Sequence, residues 1–130
     1  MDKVLIGRHL ARAASGPIVW GKTDCAIVAA DVWRMVTGFD PMHDLRGAYD
    51  SRWDYLTIVR AEGGFLASAR ARLDHVAEPV FNGSGVALVQ RGKQQLFAVA
   101  LDGVLAAPSV NGGLVNVTDW RRLGAWSWSR

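Results

Sequence analysis

Between Asp24 and Thr37 the chain is apolar on every side of a helical wheel, with Ile27, Val28, Ala30, Val32, Trp33 and Val36 spread around it. A helix of that kind cannot lie on a surface. The rest of the 130 residues must wrap it from more than one direction, which makes it the centre of the fold. Gly38 closes it, and Asp40-Pro41 prevents a restart. Its start is equally informative. Trp20-Gly21-Lys22-Thr23-Asp24-Cys25 is a Gly-containing turn, then a Thr-Asp cap pair, then the chain's one cysteine in the first helical turn. A thiol there faces the positive end of the helix dipole, which favours the thiolate and is one way a cysteine nucleophile is presented.

The neighbouring segments supply the wrapping. Residues 2–14 read as an amphipathic helix capped by Asp2, with Leu5, Ile6, His9, Leu10 and Ala13 on one stripe. Residues 39–50 read as an irregular loop. Ser51-Arg52-Trp53-Asp54 opens a helix over about 51–62 in capping-box fashion; Gly63-Gly64 ends it, and a shorter helix spans about 65–73. Past Pro79 the pattern becomes strands: 86–89, 96–101, 104–107 and 114–117, with Asp102-Gly103 as a two-residue hairpin. Thr118-Asp119 is expected to cap one helical turn, and 125–129 alternates like an edge strand. Helices first and a meander of strands second predicts one α+β domain over 1–130. Its mainly helical part is 1–78, and a mainly strand part, 79–130, forms an antiparallel sheet under the central helix.

Composition removes several classes of function. Fifteen Lys and Arg against twelve Asp and Glu give a net charge of +3. The basic residues are scattered, the densest groups being Arg70 with Arg72 and Arg121 with Arg122. No basic run carries interleaved aromatics, so no nucleic-acid partner is expected. A single cysteine excludes an intrachain disulfide and any multi-cysteine zinc site, and His9, His43 and His75 lack metal-ligand spacing. Neither metal nor cofactor is expected. No apolar run reaches the ~20 residues of a membrane span, and the first residues, interrupted by Arg8 and Arg12, do not read as a secretory signal.

Several ordered motifs carry a resemblance. They are Trp20-Gly21-x-x-Asp24-Cys25, Thr37-Gly38-Phe39-Asp40-Pro41, Arg46-Gly47-Ala48-Tyr49, Gly63-Gly64, the strand from Gly85, and Ala125-Trp126. Together they resemble a family of short tail-associated proteins of siphophages and prophages, related to the NlpC-type, papain-like cysteine peptidases that cut peptidoglycan stem peptides. The resemblance implies a minimal papain-like fold and a place at a phage tail tip or baseplate. It further implies assembly in the host cytoplasm, other tail proteins as partners, and peptidoglycan as a further candidate partner. In the related enzymes the cysteine is the nucleophile and a histidine opening the second strand is its base. Cys25 matches the nucleophile position. The histidine position falls at Phe97 or its immediate neighbour, and no histidine follows His75. Without a base and acid the leaving amine goes unprotonated, at a cost of ~10²–10⁴ in rate. The resemblance therefore implies a structural tail component with lost chemistry. Its rivals are a working cell-wall peptide hydrolase and a tail-assembly adaptor or chaperone.

Each candidate residue has two readings. Cys25 is either a nucleophile or a small buried hydrophobe. Asp24 reads first as a helix cap. If a histidine replaced the missing base, His43 in the irregular loop would be the first candidate and His9 the second. Trp20 and Trp33 are expected to pack the central helix and Trp53 the next one. Trp120, Arg121, Arg122, Trp126 and Trp128 have the aromatic-plus-arginine composition of a protein interface.

Overall fold

The computed structural model describes residues 2–128. Four helices precede five strands: α1 Lys3–Ala13, α2 Cys25–Thr37, α3 Arg52–Ala61, α4 Phe65–Leu73, then β1 Gly85–Arg91, β2 Gln94–Leu101, β3 Val104–Pro108, β4 Leu114–Asn116 and β5 Arg121–Ser127. The strands form one antiparallel sheet in the order β4-β3-β2-β1-β5. This is an α+β fold, with helices in the N-terminal half and the sheet in the C-terminal half. Among the described residues, no helix is long and apolar enough to cross a membrane.

The helix boundaries follow from their caps. Asp2 accepts hydrogen bonds from the amides of Val4 and Leu5, Asp24 from Ile27, and Ser51 from Asp54. Gly38 takes the left-handed conformation that ends α2. α2 buries Ala26, Ile27, Val28, Ala29, Ala30, Val32 and Trp33, between α1 on one side and β2 on the other. Two expectations fail on the outer helices. In α1 only Ile6 and Leu10 are buried and Leu5 is exposed, because α1 touches α2 along a narrower stripe than the sequence suggests. In α3, Tyr55 and Val59 turn inward, four residues apart. Trp53, two positions before Tyr55, is thereby carried to the outer face and is 69% exposed rather than packed.

The sheet separates two cores. One face, with Val86, Leu88, Phe97, Val99, Trp126 and Trp128, packs on the helices. The alternate residues Ala87, Val89, Ala98, Ala100, Leu105 and Ala107 pack with Val117 and Trp120. The link from β4 to β5 explains why this second core is so rich in alanine. In a flat sheet of this order the two edge strands would stand about 19 Å apart. Yet the Trp120 amide bonds to the Val117 carbonyl, a four-residue turn about 7 Å across or less. The sheet must be rolled toward a partly closed barrel, which crowds this face, and alanines make room there for Trp120. The expected helical turn at Thr118-Asp119 is this tight turn instead. β5 also begins at Arg121, earlier than expected; Ser129 lies outside the described residues.

Candidate functional site

The motifs of the N-terminal half meet at one buried point. Asp24, fully buried, caps α2 through Ile27 (3.2 Å) and also accepts the amide of Gly21 (2.8 Å) and the hydroxyl of Tyr49 (2.9 Å). Burial raises its carboxyl above the ordinary range, and these hydrogen bonds pull the other way. Gly21 has φ +85°, and a Cβ there would lie 2.2 Å from the Tyr49 carbonyl oxygen. The Gly47 amide bonds back to the Gly21 carbonyl. The Trp-Gly-x-x-Asp-Cys turn and the Arg-Gly-Ala-Tyr segment are thus two halves of a single clasp.

Cys25 opens α2 beside this clasp, half-buried among residues of the helix–sheet core. Burial, then the charge of Asp24, pushes its thiol up from 9.0 to about 12. The main chain of Phe97 and the amides of the first helical turn act in the opposite sense and lose. A rise of that size corresponds to about 4 kcal/mol, against about 0.3–1 kcal/mol for a helix end. The expected thiolate is therefore overruled by burial. Near neutral pH the thiol is protonated, and iodoacetamide should label it far more slowly in the folded protein than in urea-unfolded chains. Equal rates would show that the thiol is neither buried nor perturbed.

The same rise has a consequence for stability. The folded value lies above the unfolded one, so the contribution is complete below pH 9 and is lost as pH climbs toward 12. Stability should fall across that window by up to about 1.4 kcal/mol per pH unit. Tyr49 and Tyr55, both pushed up by burial from 10.0, add to the fall at higher pH. Urea midpoints of Cys25→Ala should decline less steeply than wild type just above pH 9. Parallel declines would exclude the thiol as a source.

No histidine hydrogen-bonds Cys25 among the described residues. His43, the first candidate for a replacement base, is exposed on the loop over residues 39–50. His75 packs edge-on to Phe39. His9 instead joins a polar network the sequence did not reveal. Its Nε2 lies 2.8 Å from Asp31 Oδ2, while the Arg46 guanidinium donates to Asp31 (2.6 Å) and, through two nitrogens, to Asp40 (2.6 and 3.1 Å). Burial raises the Asp40 carboxyl, but Arg46 outweighs it and holds Asp40 below its ordinary range. A second latch runs from Arg72 to the Pro41 carbonyl, Asp44 and Glu62. The two arginines pin the 39–50 loop to α2 and α4.

The cavity between α2, α4 and β2, lined by Ala26, Ala29, Ala69 and Phe97 among others, encloses about 30 Å³. That is room for a water or two, not for a peptide. Among the described residues no group of three or more His, Cys, Asp and Glu could hold a metal ion.

The proposed C-terminal interface is also rearranged. Trp126 and Trp128 are buried under the helices, and Trp120 is buried on the barrel side, so none of the three offers an exposed aromatic surface. Strand alternation puts Trp126 on the face that α2 and α4 cover; its indole nitrogen donates to Asp74 at 2.7 Å. Arg121 and Arg122 alone of that group reach solvent.

Residues 3–127 match the family model described as "Domain of unknown function (DUF6950)". The chain belongs to this family. No curated protein and no solved structure gives a significant match. In this DUF6950 chain the match runs from the first helix to the last strand, so the clasp, the arginine latches and the barrel all lie inside the family's domain. The sequence missed Tyr49 as a partner of Asp24 and Asp31 as a partner of Arg46. The available signal was an acid inside an apolar helix, which a buried setting tolerates only with a partner.

Proposed function

We propose that this protein is a structural component of a phage tail tip or baseplate, built on a papain-like, NlpC-like domain whose peptidase chemistry has been lost. In this reading it joins other tail proteins and does not cut peptidoglycan. The observation that supports it best is the surroundings of Cys25. The cysteine opens the central helix as a papain-like nucleophile would, and the Phe97 main chain on β2 lies against its sulfur. Phe97 stands where the resemblance requires a histidine, and the thiol is protonated in place. A protonated thiol with no base on the facing strand has no route to attack an amide or to protonate the leaving amine.

Two measurements test the two halves of this reading. Purified peptidoglycan incubated with wild type should release no more stem peptide than with Cys25→Ala. Release that disappears in Cys25→Ala would establish an active hydrolase and overturn the loss of chemistry. Mass spectrometry of purified particles should find the protein in fixed stoichiometry with known tail proteins. Its absence from particles would favour an assembly adaptor.

A further inference from the structure

The net charge of this protein is not spread over it. Residues 1–78 hold ten Lys and Arg against ten Asp and Glu, while residues 79–130 hold five against two, so the whole excess of +3 lies in the strand half. Antiparallel pairing gathers most of it in one place. Gln90 sits opposite Arg121 and Val89 opposite Arg122 across β1 and β5, and Arg91 pairs with Gln94 at the β1–β2 turn that carries Lys93. Arg91, Lys93, Arg121 and Arg122 are all exposed at this end of the sheet. Of the two acids in this half, Asp102 occupies the β2–β3 turn at the opposite end and is bonded to Lys3. Asp119, exposed in the β4–β5 link, is the one acid near the group in sequence.

Two of the four cations are held in position. The Arg91 guanidinium lies 4.5 Å from the centroid of the Trp120 ring and that of Arg122 lies 5.0 Å from the Phe81 ring. A guanidinium stacked on a ring loses rotamer freedom before any partner arrives and keeps its N–H edge for a planar anion. We propose that this end of the sheet docks an acidic segment of a partner protein, with Arg91 and Arg122 forking carboxylates and Lys93 and Arg121 adding attraction at longer range. Carboxylate is favoured over nucleic acid by the state of the rings. Trp120 is buried, and the rings of Trp120 and Phe81 are each covered by an arginine, so neither offers a bare face for a base. Taking the partner to be a protein rests on the assembly role above; the charged surface itself does not.

Fluorescence anisotropy of a labelled decaglutamate peptide, titrated with the whole protein at low salt and again near physiological salt, tests the surface. Binding should weaken with salt. Arg91→Gln combined with Arg122→Gln should lose about tenfold in affinity, whereas Arg8→Gln with Arg12→Gln, which removes the same charge from α1, should change it by less than about twofold. Arg91→Lys with Arg122→Lys keeps the charge and should still lose about threefold, because the fork is gone. If the Gln pair fails to fold, Lys93→Gln with Arg121→Gln, which touches neither ring, should still lose about threefold, more than the α1 control. Absence of decaglutamate binding at low salt, equal loss in the α1 control, or tighter binding of a ten-nucleotide oligothymidylate would each overturn the proposal. Particles that lack the protein would sink the tail role and leave this result standing.

Discussion

Gly21→Ala is expected to cost this protein about 2–6 kcal/mol. Two penalties combine. The native φ of +85° is a conformation that alanine adopts at about 1–3 kcal/mol. The new Cβ would also stand 2.2 Å from the Tyr49 carbonyl oxygen, a main-chain atom that cannot swing aside, and overpacking of that kind costs about 1–3 kcal/mol more. A single domain has about 5–15 kcal/mol in total, so the substitution should remove a large share of the stability. Gly38→Ala is the control: its φ is +83° but nothing lies within 4 Å of the added carbon. Urea midpoints followed by tryptophan fluorescence should separate the two clearly. Equal midpoints would mean that the clasp between residues 21 and 49 is not tight.

Asp24→Ala is expected to cost about 2.5–8 kcal/mol by a different route. It removes the cap of α2, worth about 0.5–2 kcal/mol. It also strands the Gly21 amide and the Tyr49 hydroxyl in a buried place, at about 1–3 kcal/mol each. Asp24→Asn should rescue little. Oδ2 accepts from both Gly21 and Tyr49 and Oδ1 accepts from Ile27, so the amide NH₂ would face a donor in either orientation. Tyr49→Phe should cost less than Asp24→Ala, because the carboxylate keeps its two main-chain donors. A denaturant series in which Asn restores full stability would show that one of these hydrogen bonds carries no weight.

The two halves of the chain were legible to different degrees, for physical reasons. Helix starts were readable because a cap is local: Asp2, Asp24 and Ser51 each bond an amide two or three residues on. The Asp102-Gly103 hairpin was readable for the same reason, with φ of +51° and +84° at its two residues. What failed depended on distance along the chain. The helix-end effect on Cys25 is local and visible; the burial that outweighs it comes from strands some 70 residues later. The aromatic and arginine residues at the C-terminal end share a composition but not a fate: Trp126 sits mid-sheet under the helices, while Arg121 and Arg122 begin the last strand at the exposed end of the sheet. The 118–119 turn looked like a helix cap because Thr-Asp serves both purposes. Only the rolled sheet decides between them.

That rolled sheet also makes the four residues 117–120 a ruler. Val117 is held by the Leu105 carbonyl, and Arg121 must already be opposite Gln90. Deleting one residue from the ruler would drag β5 one step along β1. A one-step slip inverts every side chain of a strand, so Trp126 would be turned from the helix-covered face into the alanine-rich second core while Arg121 and Arg122 exchanged faces. Insertions are tolerable in most loops of such a domain, but here the count of residues sets which side of the last strand faces the helices.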